Sequence, residues 1–139
     1  MNEPKSSAER VYEILGAFQQ GEDEKLRGLM HRDSEVYAAP GLINAGTYHG
    51  YEGFMDWMRQ WEEAWDEANY ELGEVIEVDE DLVVVPAHVV AIGAGSGVRI
   101  DAVFGWLYEW EDGLSRRFQV YPDVETALEA ARRIAAERA

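Results

Sequence analysis

Apolar positions recur with a helical rhythm up to about residue 66 and with a strand rhythm after it. Ser6-Ser7-Ala8-Glu9 offers a capping box, with Ser6 as N-cap and Glu9 three positions on. Val11, Ile14, Leu15 and Phe18 then recur at spacings of three and four, predicting a first helix that Gly21 ends. A short second helix is predicted from Asp23 to Met30, with Leu26, Leu29 and Met30 inward, and His31-Arg32-Asp33 breaks it. Glu35 to Ala39 reads as a short strand, and Pro40 to Gly50, with one Pro and three Gly, as a loop. A third helix is predicted from Tyr51 to Asp66. Its Phe54, Trp57, Met58, Trp61 and Trp65 fall on one stripe, with Arg59, Glu62, Glu63 and Asp66 on the other side.

After Ala68 the period is that of strands: Tyr70–Val78, Leu82–Ile92, Val98–Trp110 and Leu114–Tyr121. Asp79-Glu80-Asp81, Gly93 to Gly97 and Glu111-Asp112-Gly113 turn the chain between them. Pro122-Asp123 opens a last helix, residues 123–139, with Asp123 as N-cap. Helices first and consecutive hairpins afterwards predict an α+β domain with an antiparallel sheet. On the third long strand Ile100, Ala102, Phe104, Trp106, Tyr108 and Trp110 share the face toward the helices. The opposite face is polar at its ends but carries Val103 and Leu107 in its middle, which predicts a homodimer contact there.

The length of 139 residues fits one domain, 1–139, with residues 1–5 expected to be disordered. Hydrophobic residues make up 47%, enough to bury a core. The 28 acidic and 12 basic side chains leave a net charge of −16, which argues against nucleic-acid and anionic-membrane partners. With no Cys, thiolate metal sites and Cys nucleophiles are excluded. Met1 to Arg10 lacks the apolar segment of a signal peptide, so a cytoplasmic location is expected.

The run Phe18-Gln19-Gln20-Gly21, then His31-Arg32-Asp33, then Ala45 to Gly53 resembles the front half of a SnoaL-like domain. Trp110-Glu111-Asp112-Gly113, Val120-Tyr121-Pro122-Asp123 and Thr126 to Ala131 are similar to its back half. The resemblance spans Val11 to Ala131. It implies the nuclear transport factor two-like, cystatin-like α+β cone. In that fold a curved antiparallel sheet packs on three helices around an internal apolar pocket, with a further C-terminal helix, often dimeric through the outer sheet face. It does not imply one chemistry, because fold and function separate in such classes.

Three chemistries of the class can be compared with this chain. The ketosteroid isomerase triad falls at Ile14, about Ala38 and near Trp106, so none of its groups is kept. Tyr12 lies about 200° around the helix from Ile14 and does not replace the lost Tyr. Of the limonene epoxide hydrolase set only Tyr37 matches; Ala39, Pro86, His88 and Val120 stand at the other positions. The acid/base Asp of SnoaL-like cyclases falls in Phe104-Gly105-Trp106, which holds no carboxylate.

His88, alone in the apolar run Val84 to Val90, is the candidate catalytic residue. An imidazole in a partly dry pocket titrates near neutrality and serves as a base. The alternatives are a histidine bonded to a neighbour or one facing a partner subunit, and both faces of the strand are apolar. Tyr37, Trp57, Trp61, Trp106, Tyr108 and Arg116 are the candidate substrate-binding residues, Arg116 because it shares the side of Phe118 and Val120 on a regular strand. His31 with Asp33 reads as structural and His49 as exposed. No metal and no cofactor is expected. The expected function is binding or transforming a small hydrophobic, flat or ring-shaped molecule by acid–base chemistry. The alternative is a non-catalytic ligand-binding or dimerisation module.

Overall fold

The computed structural model describes residues 5–138. Two helices, α1 (Ser7–Gln19) and α2 (Asp23–Leu29), are followed by two strands, β1 (Met30–Ala38) and β2 (Gly46–His49), and by a third helix, α3 (Gly50–Ala64). Five strands follow: β3 (Trp65–Leu72), β4 (Ile76–Asp79), β5 (Leu82–Gly93), β6 (Arg99–Glu111) and β7 (Leu114–Tyr121). The helix α4 (Val124–Arg138) closes the chain. Expected disorder at 1–5 falls outside the described residues for positions 1–4.

The N-cap half of the box forms: the Glu9 backbone N–H donates to Ser6 Oγ at 3.2 Å, and the Ser6 hydroxyl donates to Glu9 Oε1 at 3.2 Å. The α3 stripe forms from Phe54 to Trp61, but the helix stops at Ala64 rather than at Asp66, and Trp65, whose backbone is extended, opens β3 instead of completing the stripe. Asp112-Gly113 has positive φ at both residues, 54° and 76°, the geometry of a two-residue hairpin turn whose twist matches its strands.

The sheet runs β2-β1-β7-β6-β5-β3, with β4 pairing the start of β5. Every neighbouring pair is antiparallel except β1 with β7, which is parallel, so the sheet is mostly rather than wholly antiparallel. Further boundaries differ from the sequence reading. Glycine-rich 46–49 forms an edge strand, the first hairpin strand is split into β3 and β4, and β1 begins at Met30.

Each face of the sheet carries its own core. On the concave face Val83, Val85 and Ala87 of β5 and Trp106, Tyr108 and Trp110 of β6 meet α1, α2 and α3. On the convex face Leu82, Val84, Leu107 and Tyr121 lie beneath Ala127, Ala130 and Ala131 of α4. Leu107 is fully buried by this helix, so only Val103, at 47% exposure, remains of the apolar pair expected to meet a second subunit. Gly105 is where α4 comes closest. A Cβ there would lie 2.6 Å from Ala127 Cβ and 2.6 Å from the Asp123 carbonyl oxygen.

Candidate functional site

The concave core is not completely filled. It leaves a half-open space of about 50 Å³. Helix α1 contributes Ile14, Leu15 and Phe18, and α3 contributes Phe54, Trp57, Met58 and Trp61. The sheet side supplies Tyr70, Trp106, Tyr108, Ser115 and Phe118, with Met30 at the start of β1. A second chamber of about 130 Å³ lies between α3, the 41–43 loop and β6, and Trp57 and Trp61 belong to the walls of both. The rings interlock. Phe118 stands edge-on to Trp57 and to Trp106, each at 5.6 Å between centroids, and Trp57 stacks on Trp61 at 6.0 Å.

The polar groups of this wall are few and neutral. Trp61 Nε1 donates to the Tyr70 hydroxyl at 2.6 Å. Burial pushes the Tyr70 hydroxyl above its ordinary value of 10.0, with the Trp61 bond pulling the other way and Glu62 adding to the rise. Tyr108, stacked between Trp110 and Phe118, is raised far above 10.0 by burial alone. Both phenols are therefore protonated hydrogen-bond donors at neutral pH. Among the described residues no carboxylate, imidazole, amine or guanidinium belongs to the cavity wall.

Of the candidate binding residues, Trp57, Trp61, Trp106 and Tyr108 share this wall. Three other candidates lie elsewhere. His88 is on the convex face, opposite Val103, and its Nε2 is 2.6 Å from Asp101 Oδ1. The two side chains are 39% and 52% exposed, so the expectation of an imidazole entering the pocket is corrected to a histidine bonded to its neighbour. That bond is the main cause holding the Asp101 carboxyl below the ordinary carboxylate value. The reason for its direction is alternation: Val83, Val85 and Ala87 take the concave side, which sends His88 the other way.

Tyr37 likewise faces outward, packing on Tyr121 at 5.9 Å near α4 rather than in the cavity. Arg116 is displaced by an irregularity that sequence alternation does not foresee. Trp110 pairs with Ser115 and Glu109 with Arg117, leaving Arg116 as the extra residue of a bulge. Ser115 takes the inward place, and Arg116 turns to a polar cleft beside Glu35, 3.8 Å away. Ser115 and Tyr70 are wall residues that sequence reasoning missed. Inward alternation of β3 could have found Tyr70; nothing local announces the bulge that brings in Ser115.

His31, Glu111 and Asp112 bring one ligand atom each within 4.8 Å of one another. The Asp33 N–H donates to His31 Nδ1, which leaves the proton on Nε2 to be given to Glu111 at 2.6 Å. Neither ring nitrogen then offers a lone pair, so this triad acts as a tie between β1 and the β6–β7 turn.

The profile of the SnoaL-like domain matches residues 8–118, and the chain belongs to that family. Among curated proteins none matches. Solved structures share the fold at low identity. An NTF2-like protein from Burkholderia xenovorans LB400 is 18% identical with a TM-score of 0.75, over 89% of this chain and 93% of the other. TerC, co-crystallized with polyporic acid, is 20% identical with a TM-score of 0.72, over 91% and 97%. A protein of ketosteroid isomerase-like fold from Catenulispora acidiphila DSM 44928, in complex with trimethylamine, is 14% identical with a TM-score of 0.71, over 91% and 94%. No helix among the described residues is long and apolar enough to cross a membrane.

Proposed function

We propose that the protein binds a small, flat, apolar molecule between α1, α3 and the concave sheet face, and holds it without acid–base chemistry. One observation carries this reading: the cavity wall is aromatic and aliphatic, and among the described residues its only ionisable groups are two phenols, protonated at neutral pH. Such a wall recognises shape and surface, with a few donors to set orientation. Trp57, Trp61, Trp106 and Tyr108 are the proposed contacts, and His88 and Arg116 are not among them. Two proteins of the same fold were crystallised with small organic molecules, which supports a role in binding small molecules.

The inner cavity of about 50 Å³ is smaller than the ~150 Å³ that holds a benzene ring in an apolar core. Ligand entry therefore involves movement of Trp57 and Trp61, whose rings line both this space and the neighbouring 130 Å³. The test is displacement of an environment-sensitive dye by one- and two-ring aromatic compounds, with each mixture followed by chromatography for product. Displacement without conversion is the expected result. Steady turnover of any displacing compound, or failure of all of them to bind, refutes the reading. Homodimerisation through the convex face at Val103 is proposed separately, and sedimentation of a Val103→Lys variant as a monomer would support it.

A further inference from the structure

Where α1 and α3 end against β3, a cleft of about 330 Å³ opens at the surface. Phe18 of α1, Trp61 of α3 and Trp65 and Tyr70 of β3 line it, and all four rings are half-buried rather than packed away. They join in one chain. Phe18 meets Tyr70 edge-on at 6.5 Å, the Tyr70 hydroxyl accepts the Trp61 indole N–H at 2.6 Å, and Trp61 meets Trp65 edge-on at 5.4 Å. The ring planes cross at 72° and 66°, so the rings make a corner and not a flat wall. Glu62 stands exposed beside them, and its charge is felt at the Tyr70 hydroxyl. Arg59, one turn earlier on α3, is bonded to Asp56, and Glu62 has no ion-pair partner among the described residues. Among the described residues no cationic side chain lines the cleft. Glu62 belongs to neither of the two inner chambers.

We infer that this cleft is a second binding site, taking an alkylated organic ammonium ion against the four rings with Glu62 as its counter-ion. Aromatic faces attract such cations through the ring quadrupole, and indole does so best. A net charge of −16 gathers cations around the chain as a whole. A metal ion needs several oxygen ligands, whereas the cleft offers one carboxylate and the Gln19 amide. An anion is repelled by Glu62, and a neutral hydrocarbon makes no use of it. The inference holds whether or not the interior takes a ligand of its own.

The experiment uses the full chain labelled with ¹⁵N and two probes of one shape, choline and its neutral carbon isostere 3,3-dimethylbutan-1-ol. Titration calorimetry gives each Kd, and indole resonances report where each probe sits. The Trp65 resonance is identified by its loss in Trp65→Leu, and that of Trp106 by its loss in Trp106→Phe. Choline is expected to shift the first and not the second, and to bind about tenfold more tightly than the alcohol. Glu62→Gln changes an exposed position and is expected to weaken choline about two- to fivefold while leaving the Kd of the alcohol unchanged. Trp65→Leu keeps an apolar wall without a π face and is expected to lower the preference for choline about threefold. Should that variant unfold, Glu62→Gln decides alone. Equal affinity for the two probes overturns the inference. So does a preference that survives Glu62→Gln, a shift confined to Trp106, or no binding of choline. None of these outcomes bears on the reading of the interior, which the neutral aromatic compounds test.

Discussion

Gly105 offers a test of how α4 is seated, through a change of one methyl group. A Cβ at this position would approach Ala127 Cβ and the Asp123 carbonyl oxygen to 2.6 Å each, and the Asp123 carbonyl carbon to 3.1 Å. None of these is the free end of a flexible side chain. To restore ordinary contact near 3.4 Å, the start of α4 must lift by nearly 1 Å from β6. Overpacking of this kind costs roughly 1–3 kcal/mol. For a chain of this length each kcal/mol moves the midpoint by about 3–4 °C, so Gly105→Ala is expected to lower Tm by roughly 3–12 °C. Gly16→Ala is the control. It lies in α1 with nothing within 4 Å of the added carbon, and replacing a helical glycine is expected to gain about 0.5–1 kcal/mol and raise Tm by a few degrees. Thermal unfolding by far-ultraviolet circular dichroism reads both. A Tm for Gly105→Ala within about 1 °C of the parent, or the same sign for both variants, refutes this account of the helix seat.

Two further outcomes follow from the convex face. Asp123 Oδ1 accepts the Thr126 backbone N–H at 2.7 Å, and this bond is the largest cause of a carboxyl pKa below the ordinary value. A depressed acid stabilises above its unfolded pKa and loses that contribution as pH falls through the folded value. Asp123→Ala should therefore lower Tm at pH 7, with the gap to the parent closing in melts recorded below the ordinary carboxylate range. Leu107→Ala removes a fully buried side chain beneath α4 and is expected to cost roughly 2–5 kcal/mol in urea unfolding, with no change in self-association by sedimentation.

The elements with a clean period were legible. The α3 stripe is amphipathic enough to announce both helix and face, and β6 alternates so regularly that Trp106 and Tyr108 could be assigned to the interior. His88 was not legible, because β5 carries apolar residues on both sides: one side builds the concave core and the other is covered by α4 over its first residues. An apolar–apolar strand gives no phase from which to read direction. Arg116 was misread for the opposite reason. Its strand has a good phase, which one inserted residue inverts. The parallel pairing of β1 with β7 has no local signature, since it joins segments about 80 residues apart.

That pairing also constrains how the chain comes together during synthesis. The residues of β1 emerge early, but their partners in β7 are among the last third to appear, with Val36 waiting for Phe118 and Ala38 for Val120. Until then β1, on which the tryptophan-bearing helix packs, keeps one edge unpaired, and the place of Phe118 beside Trp57 stays open to water or to a chaperone. Any truncation that removes β7 would leave the first sixty residues as an exposed adhesive surface rather than as a smaller independent unit.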